Sequence, residues 1–250
     1  MKIDVNADLG ESFGNHKMGN DSEIIKYISS ANIACGFHGG DPYVIEQTIK
    51  LALENNVDIG AHPSYPDLAG FGRRSMKVSN EELYSMILYQ VGALKAMTET
   101  LGGKLHHVKP HGALYNDLAN SFQKAKIVAE AIYKIDPELI FVGLANSEIQ
   151  HAAREVGLKS GCEVFADRAY NDDGSLVSRF KYGAVFHDGD TCLKQVKQIL
   201  TEKSITSING NKIDMCVDTI NIDGNNQEAL DFIKTFHEYL KEKEIKLESL

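Results

Sequence analysis

The amino-acid sequence predicts an α/β protein, a TIM-like (β/α) barrel with about seven parallel strands in a single domain over 1–250. Short apolar or β-branched runs alternate with longer amphipathic segments, as in parallel strands joined by right-handed helical crossovers. The length of 250 residues suits one such barrel, and no Pro/Gly/Ser-rich linker divides the chain. An open doubly wound sheet, the structural alternative, usually has a GxGxxG turn after its first strand, whereas this chain has Asp8-Leu9-Gly10-Glu11 there.

The strands are predicted from short apolar runs that lead into glycine, proline or a polar motif. In chain order they span 2–7, 31–36, 57–61, 105–109, 139–144, 162–166 and 215–222. Because a helical pattern follows each of them, neighbouring strands are expected to run parallel, with all their carboxyl ends at one rim.

Capping residues and apolar spacing predict the helices between these strands. Asp41 is a favourable N-cap because Pro42 follows it at the first helical position. Residues 79–82, Ser-Asn-Glu-Glu, have the pattern of a capping box. The remaining helices are predicted at 22–29, from near Asp117, through Arg154, over 190–201, and over the segment with Ala229, Ile233 and Leu240.

Charge and composition limit the partners of the protein. The formal net charge of -9 argues against nucleic acid held through its phosphates. No apolar run approaches the roughly 18 residues of a membrane span, and Asp4 and Asp8 interrupt the apolar core that a signal peptide would need. The four cysteines form no CxxC pair, so free thiols in a reducing cytoplasm are expected. The sequence leaves open whether the protein forms a homo-oligomer.

Polar residues collect where five of the predicted strands end, and on a barrel these positions converge. Four of them are carboxylates: Asp8, Glu11, Glu163 and Asp167. Carboxylates that share a site raise one another's pKa and can act as general base and general acid. Their alternative role is the capping of loops, which suits Asp41 better.

Three histidines share a setting that favours a functional role. His38, His62 and His111 each stand beside Gly or Pro just after a strand. Asp8, His38 and His62 have the donor types of an Asp-His-His metal site, although no HExxH or similar local spacing supports a divalent metal. A metal-free network of hydrogen-bonded proton-transfer groups is the alternative.

Four cations could bind an anion at the same rim. Lys109 ends an apolar strand, where burial of its charge is unfavourable unless an anion pairs with it or the charge serves a function. It could stabilise an oxyanion or a phosphate. Arg73, Arg74 and Arg168 suit bidentate binding of a carboxylate or phosphate, with a surface salt bridge as the alternative. The predicted catalytic residues are Asp8, Glu11, His62, Lys109, His111 and Glu163, and the predicted substrate- or phosphate-binding residues are Asn6, His38, Arg73, Arg74, Asp167 and Arg168.

Long ordered motifs run through nearly the whole chain. They read NADLGESFG, ANIACGFHGGDP, IGAHPSYPDLAGFGRR, HVKPHGALYN and EVFADRAYNDDGSLVSR, with YQVGAL at 89–94. In these motifs the chain resembles the LamB/YcsF family. The resemblance implies a seven-stranded barrel of the glycoside hydrolase/deacetylase type. It also implies hydrolysis of 5-oxoproline to L-glutamate, coupled to conversion of ATP to ADP and phosphate, together with two companion subunits, B and C.

The resemblance suggests a division of labour between the subunits. This chain has no GxxxxGK[ST] phosphate loop, so the companions are expected to handle ATP, the co-substrate, while this chain opens the ring. Phosphorylation would make the lactam carbon electrophilic, and water would then attack it. The predicted roles are general base for Asp8 or Glu163, anion stabilisation for Lys109 and Arg168, and protonation of the ring nitrogen for His62 or His111.

One segment departs from the family pattern. Where the family usually has Cys-hydrophobic-His-Gly-Asp near the last strand, Asp223 stands in place of the histidine and Asn225 in place of the aspartate. We expect a changed detail of activity or specificity, because Asp223 can still accept a proton. Two other functions stay open: a metal-dependent deacetylase-like hydrolase, and a non-catalytic scaffold subunit that binds substrate.

Overall fold

A computed structural model describes residues 1–222 and 227–250, and within them it contains a closed barrel of parallel strands. The strands are β1 Lys2–Leu9, β2 Ser30–Ala34, β3 Asp58–His62, β4 Leu105–Val108, β5 Ile140–Leu144, β6 Lys159–Phe165, β7 Ser204–Thr206, β8 Lys212–Asp214, β9 Thr219–Asn221 and β10 Lys246–Leu247. Of these described strands, β1 to β6 and β9 form the ring, because β9 pairs in parallel with both β6 and β1. The predicted seven-stranded barrel is confirmed.

Helices pack against the barrel strands, and the predicted caps lie at their starts. The helices are α1 Asp21–Ile24, α2 Pro42–Glu54, α3 Asn80–Thr100, α4 Gly112–Ala119, α5 Phe122–Ile135, α6 Glu148–Val156, α7 Gly189–Glu202 and α8 Gln227–Glu242. Asp41 accepts hydrogen bonds from the backbone N–H groups of Tyr43 and Val44, and Ser79 and Glu82 form the capping box of α3. No helix within the described ranges is long and apolar enough to cross a membrane.

The structure corrects several predicted boundaries. The helix predicted from near Asp117 begins at Gly112, so Asp117 lies inside α4, and Ser121 caps a separate helix, α5. The segment 22–29 divides into α1 and a 3-10 turn at Ile25–Tyr27. The strand predicted over 215–222 is reduced to β9. The antiparallel β7–β8 hairpin and β10 have no prediction in the sequence, because two or three residues are too few to show a period.

The interior of the barrel is polar, whereas the outward positions of its strands are apolar. Along β1, Val5 and Leu9 join the hydrophobic core, while Asp4 and Asn6 make hydrogen bonds across the strands. This alternation follows from the two-residue period of a strand. A chain of hydrogen-bonded polar side chains therefore runs inside the barrel toward the rim where Asp8 lies.

Candidate active site

A small polar cavity opens at the carboxyl ends of the barrel strands. Its volume is about 40 Å³, and it shares Arg73, Asn116, Arg168 and Arg179 with an adjoining cavity of about 470 Å³. A water molecule needs about 10–15 Å³ of such space, so the inner cavity holds water or a reacting group, and the rest of a ligand would lie in the outer one. The inner wall also contains Asp8, Glu11, His62, Lys109, His111, Tyr115 and Asn221.

Lys109 lies between two carboxylates at this cavity. It follows β4, and its side chain is only 2% exposed. Its Nζ is 2.9 Å from Asp8 Oδ1 and 3.1 Å from Glu163 Oε1. Burial by itself would lower the pKa of Lys109, but the two carboxylates outweigh it and raise that pKa. The lysine is therefore a fixed cation at neutral pH.

Asp8 and Glu163 both contact Lys109 but have different environments. The side chain of Asp8 is 24% exposed, whereas that of Glu163 is completely buried. Burial would raise the pKa of Asp8, but the charges of His62 and Lys109 hold it well below its ordinary value. Burial raises the pKa of Glu163, whose Oε2 accepts a hydrogen bond of 2.7 Å from the Tyr115 hydroxyl. Asp8 is therefore the carboxylate that water can reach.

Side chains inside the barrel fix the orientation of Asp8. Asn32 donates through Nδ2 to Asp8 Oδ1 at 3.0 Å and to Asn6 Oδ1 at 2.8 Å. His107 Nε2 lies 2.8 Å from Asn32 Oδ1, and because an amide oxygen only accepts, the imidazole donates. Asn221 of β9 adds a further N–H to Asn6 Oδ1 at 2.9 Å. Asn32 lies in the ANIACGFHGGDP motif and His107 begins HVKPHGALYN, but neither is singled out in the sequence, because a polar residue within a strand has no local signal of its chemical role.

Glu11, His38, His62 and His111 form a buried cluster beside Asp8. Their potential ligand atoms all lie within 4.8 Å of one another. His62 Nε2 is 3.0 Å from His111 Nδ1 and 3.1 Å from Asp8 Oδ2. Glu11 Oε1 is 3.1 Å from His38 Nε2 and 3.7 Å from His111 Nδ1. The structure therefore groups Glu11 and His111, in place of the predicted Asp8, with the two histidines of the predicted metal site.

Backbone carbonyl groups fix the tautomers of two of these rings. His62 Nδ1 is 2.6 Å from the carbonyl oxygen of Lys109, and His111 Nε2 is 3.0 Å from that of Phe71. Since a carbonyl oxygen only accepts, both nitrogens carry a hydrogen. Burial, with the neighbouring rings of His38 and His62, holds the pKa of His111 well below its ordinary value. His111 is therefore a neutral ring at pH 7.

The two adjacent arginines predicted to bind anions have different surroundings. Arg73 lines both the inner and the outer cavity. Arg74 forms a salt bridge with Asp67, its side chain is 68% exposed, and it lines neither cavity. For Arg74 the structure thus shows the alternative, a surface salt bridge, because the turn at Asp67 brings that carboxylate next to it.

Arg168 combines a structural role with a position at the cavity. Its guanidinium donates to the carbonyl oxygens of Val177 at 2.7 Å and Ala184 at 3.3 Å, so it holds the segment 168–185 against the rim. Burial lowers its pKa to about 10, and the side chain stays charged at neutral pH. Arg179 of the same segment lines both cavities. The sequence reasoning missed Arg179, although it is the last residue of the EVFADRAYNDDGSLVSR motif.

The structure brings most of the predicted site residues together. Those that line the inner cavity are Asp8, Glu11, His62, Arg73, Lys109, His111 and Arg168. Asn6, His38 and Glu163 are buried directly behind them. Asp167 faces a separate cavity beside Phe186, so the prediction that it binds substrate has no support in this geometry. Asp223 and Asn225 lie outside the described residues.

Comparison with known proteins agrees with the motifs. The sequence profile of the LamB/YcsF family matches residues 3–250. The chain belongs to the LamB/YcsF family. A curated relative, the A subunit of 5-oxoprolinase from Campylobacter jejuni strain 81-176, is 51% identical over 99% of this chain and 97% of its own length. The corresponding protein of Pyrococcus abyssi is 50% identical with the same coverage. The crystal structure of the lactam utilization protein from Thermus thermophilus has a TM-score of 0.94 and 38% identity over 100% of both chains.

Proposed function

We propose that this chain is the A subunit of an ATP-dependent 5-oxoprolinase, a hydrolase that opens the lactam of 5-oxo-L-proline to L-glutamate while ATP becomes ADP and phosphate. The observation that carries the proposal is the 51% identity to a curated 5-oxoprolinase A subunit over 99% of the chain. The geometry supports it, because an accessible carboxylate, Asp8, lies beside a buried cation, Lys109, and amide hydrolysis needs both a base and charge stabilisation.

Asp8 is the proposed general base. It is exposed to the cavity, and it would hold the attacking water and accept its proton as the water adds to the lactam carbon. A carboxylate with a depressed pKa is a weak base, so the lactam carbon has to be made more electrophilic first. Phosphorylation of the lactam oxygen would do this. The proton on Asp8 can then return to the ring nitrogen as the C–N bond breaks. This leaves the acyl phosphate of glutamate, which a second water hydrolyses to L-glutamate and phosphate.

The positively charged side chains of the inner and outer cavities are proposed to bind different parts of the substrate. Lys109 lies at the inner cavity, where a developing oxyanion or the phosphoryl group would be stabilised. Arg73 and Arg179 also line the outer cavity, and they suit the carboxylate of 5-oxoproline, because a guanidinium binds a carboxylate through two parallel hydrogen bonds.

The handling of ATP is assigned to partner subunits. The sequence contains no GxxxxGK[ST] loop, and the relatives are named as the A subunit of their enzyme, which implies a multi-subunit complex. We infer that subunits B and C bind ATP and pass the activated lactam to this cavity. A cytoplasmic location, where ATP is available, belongs to the same proposal.

Glutamate release by the complex reconstituted with subunits B and C tests the proposal. Replacing Asp8 by Asn is expected to lower turnover at least about 100-fold, the usual contribution of a positioned base. Asp190→Asn, at an exposed carboxylate in the first turn of α7, is the control and should leave turnover unchanged. Full turnover by the Asp8→Asn complex would leave this chain a non-catalytic scaffold. ATP hydrolysis by the isolated chain at the rate of the complex would contradict the assignment of ATP to the partners.

A further inference from the structure

We propose that Glu11, His62 and His111 bind a divalent transition-metal ion of the zinc type, and that His38 positions Glu11 for this purpose. The inference does not rest on the proposed 5-oxoprolinase activity, since metal binding is measured without turnover. It gives His62 and His111 a role other than the predicted protonation of the ring nitrogen, and it selects a ligand set different from Asp8, His38 and His62.

With both rings neutral, two nitrogen lone pairs face each other in this cluster, and a metal ion would take the place of the proton that a charged His62 directs from Nε2 toward Asp8 Oδ2. His62 donates its Nδ1–H to the Lys109 carbonyl, and His111 donates its Nε2–H to the Phe71 carbonyl. When both rings are neutral, His62 Nε2 and His111 Nδ1 carry no hydrogen. These two nitrogens are 3.0 Å apart. Two lone pairs at that separation repel, and a cation in contact with both nitrogens turns the repulsion into attraction.

The spacing of the ligand atoms fits one small cation. Zinc bonds of about 2.0–2.2 Å in a tetrahedral arrangement place neighbouring ligand atoms about 3.3–3.6 Å apart. Here the separation is 3.0 Å between His62 Nε2 and His111 Nδ1 and 3.7 Å between His111 Nδ1 and Glu11 Oε1. These two separations need shifts of only a few tenths of an ångström. The third, between His62 Nε2 and the Glu11 carboxylate, is within 4.8 Å, so the carboxylate would have to move closer to His62 to bond the same ion.

His38 is placed to support the site and not to bind the ion. Its ring stacks on His111 with the centroids 3.7 Å apart and an angle of 5° between the planes. An ion cannot lie in the planes of two parallel stacked rings at once, so only one of them can be a good ligand. His38 Nε2 is 3.1 Å from Glu11 Oε1, as expected for an N–H that fixes a ligating carboxylate.

The three proposed ligands line the inner cavity, whereas His38 does not. Three protein ligands with one position open to a cavity are the arrangement of catalytic zinc, since structural zinc usually has four. Asp8 Oδ2 lies beside the ligand nitrogen of His62, at 3.1 Å. An ion bound here would act as a Lewis acid toward an oxygen atom held near Asp8.

The metal content of the purified full-length chain tests the proposal. After incubation with Zn²⁺ and dialysis, we expect one zinc per folded chain by elemental analysis, and a visible absorption band of four-coordinate cobalt after substitution with Co²⁺. Glu11→Gln keeps the size of the side chain but removes its charge, and it should abolish both signals, as should His111→Ala. His38→Phe keeps the stacked ring and should weaken binding by about 10–100-fold, the usual effect of an outer-shell change.

His151→Ala, at an exposed histidine of α6, is the matched control and should keep the full zinc content. Circular dichroism checks that each variant is folded. A folded wild-type chain without bound zinc overturns the proposal, and so does equal zinc content in the wild type and in folded Glu11→Gln and His111→Ala. Because the assay contains no lactam, ATP or companion protein, either result leaves the 5-oxoprolinase proposal standing.

Discussion

At the scale of single residues, Lys109 serves both the fold and the chemistry. It is buried between Asp8 and Glu163, each about 3 Å away, and removal of one partner from a buried ion pair typically costs about 3–5 kcal/mol. An exposed pair such as Lys2 with Glu248 is worth about 1 kcal/mol or less. Lys109 thus holds two carboxylates of unequal pKa in place, and none of the three charges is buried without an oppositely charged partner.

Arg179 gives a residue-scale prediction about substrate affinity. Arg179→Gln removes a guanidinium that lines both cavities. A hydrogen bond to a charged group is worth about 1.5–3 kcal/mol, so KM for 5-oxoproline should rise about 10-fold to 100-fold in the reconstituted complex, with a smaller change in kcat. Arg154→Gln, on the exposed side of α6, is the control and should behave as the wild type. An unchanged KM for Arg179→Gln would remove this residue from the carboxylate site.

At the scale of secondary-structure elements, β3 and β4 approach so closely that a side chain is excluded. A Cβ atom at Gly60 would overlap with His107 Nε2. Gly60 therefore makes room for the imidazole that holds Asn32, and through Asn32 it affects the orientation of Asp8. The position needs a glycine for space and not for a left-handed backbone conformation.

Two Gly→Ala substitutions should have opposite effects on stability. Gly60→Ala overpacks the barrel and should lower the free energy of unfolding by about 1–3 kcal/mol, with reduced turnover as Asp8 shifts. Gly92→Ala lies in α3 with no neighbouring atom within 4 Å of the new methyl group, and it should raise the free energy of unfolding by about 0.5–1 kcal/mol. Urea titration measures both. Equal changes in the two variants would contradict the steric role of Gly60.

The elements that could be predicted from sequence are those with a local signal. Asp41 with Pro42 predicts the start of α2, and the capping box at 79–82 predicts the start of α3, because both signals depend on residues no more than three positions apart. The break between α4 and α5 was missed, since Ser121 interrupts an otherwise continuous helical pattern. The β7–β8 hairpin depends on pairing of three residues on each strand, which leaves no period to detect.

The same distinction applies to the site. Lys109, His62 and His111 could be predicted because a (β/α) barrel collects the ends of its strands at one rim. Asn32 and His107 could not, because their importance comes from cross-strand hydrogen bonds inside the barrel. The sequence also could not predict whether Asp8 or Glu11 groups with the histidines, because that choice depends on small differences between interatomic distances.

At the scale of the whole molecule, a polar barrel interior links stability to pH. Burial, with the charges of His106 and Lys109, holds the pKa of His107 well below 6.5. Between that low value and about 6.5, the value of an unfolded histidine, His107 binds up to one proton more in the unfolded chain than in the folded chain. The free energy of unfolding therefore falls as the pH decreases from about 6.5, by up to about 1.4 kcal/mol per pH unit for this group.

His107→Asn should weaken this dependence, because asparagine can still donate to Asn32 but does not titrate. The free energy of unfolding, measured by urea titration between about pH 5 and 6.5, should fall less steeply in the variant than in the wild type, by up to about 1.4 kcal/mol per pH unit. Carboxyl groups with a raised pKa, such as Asp21 at about 6, contribute slopes of the opposite sign, but equally in both proteins. His16→Asn, at an exposed histidine, should keep the wild-type slope. Parallel lines for the wild type and His107→Asn would mean that His107 is already protonated in the fold, and that the hydrogen bond to Asn32 comes from an imidazolium.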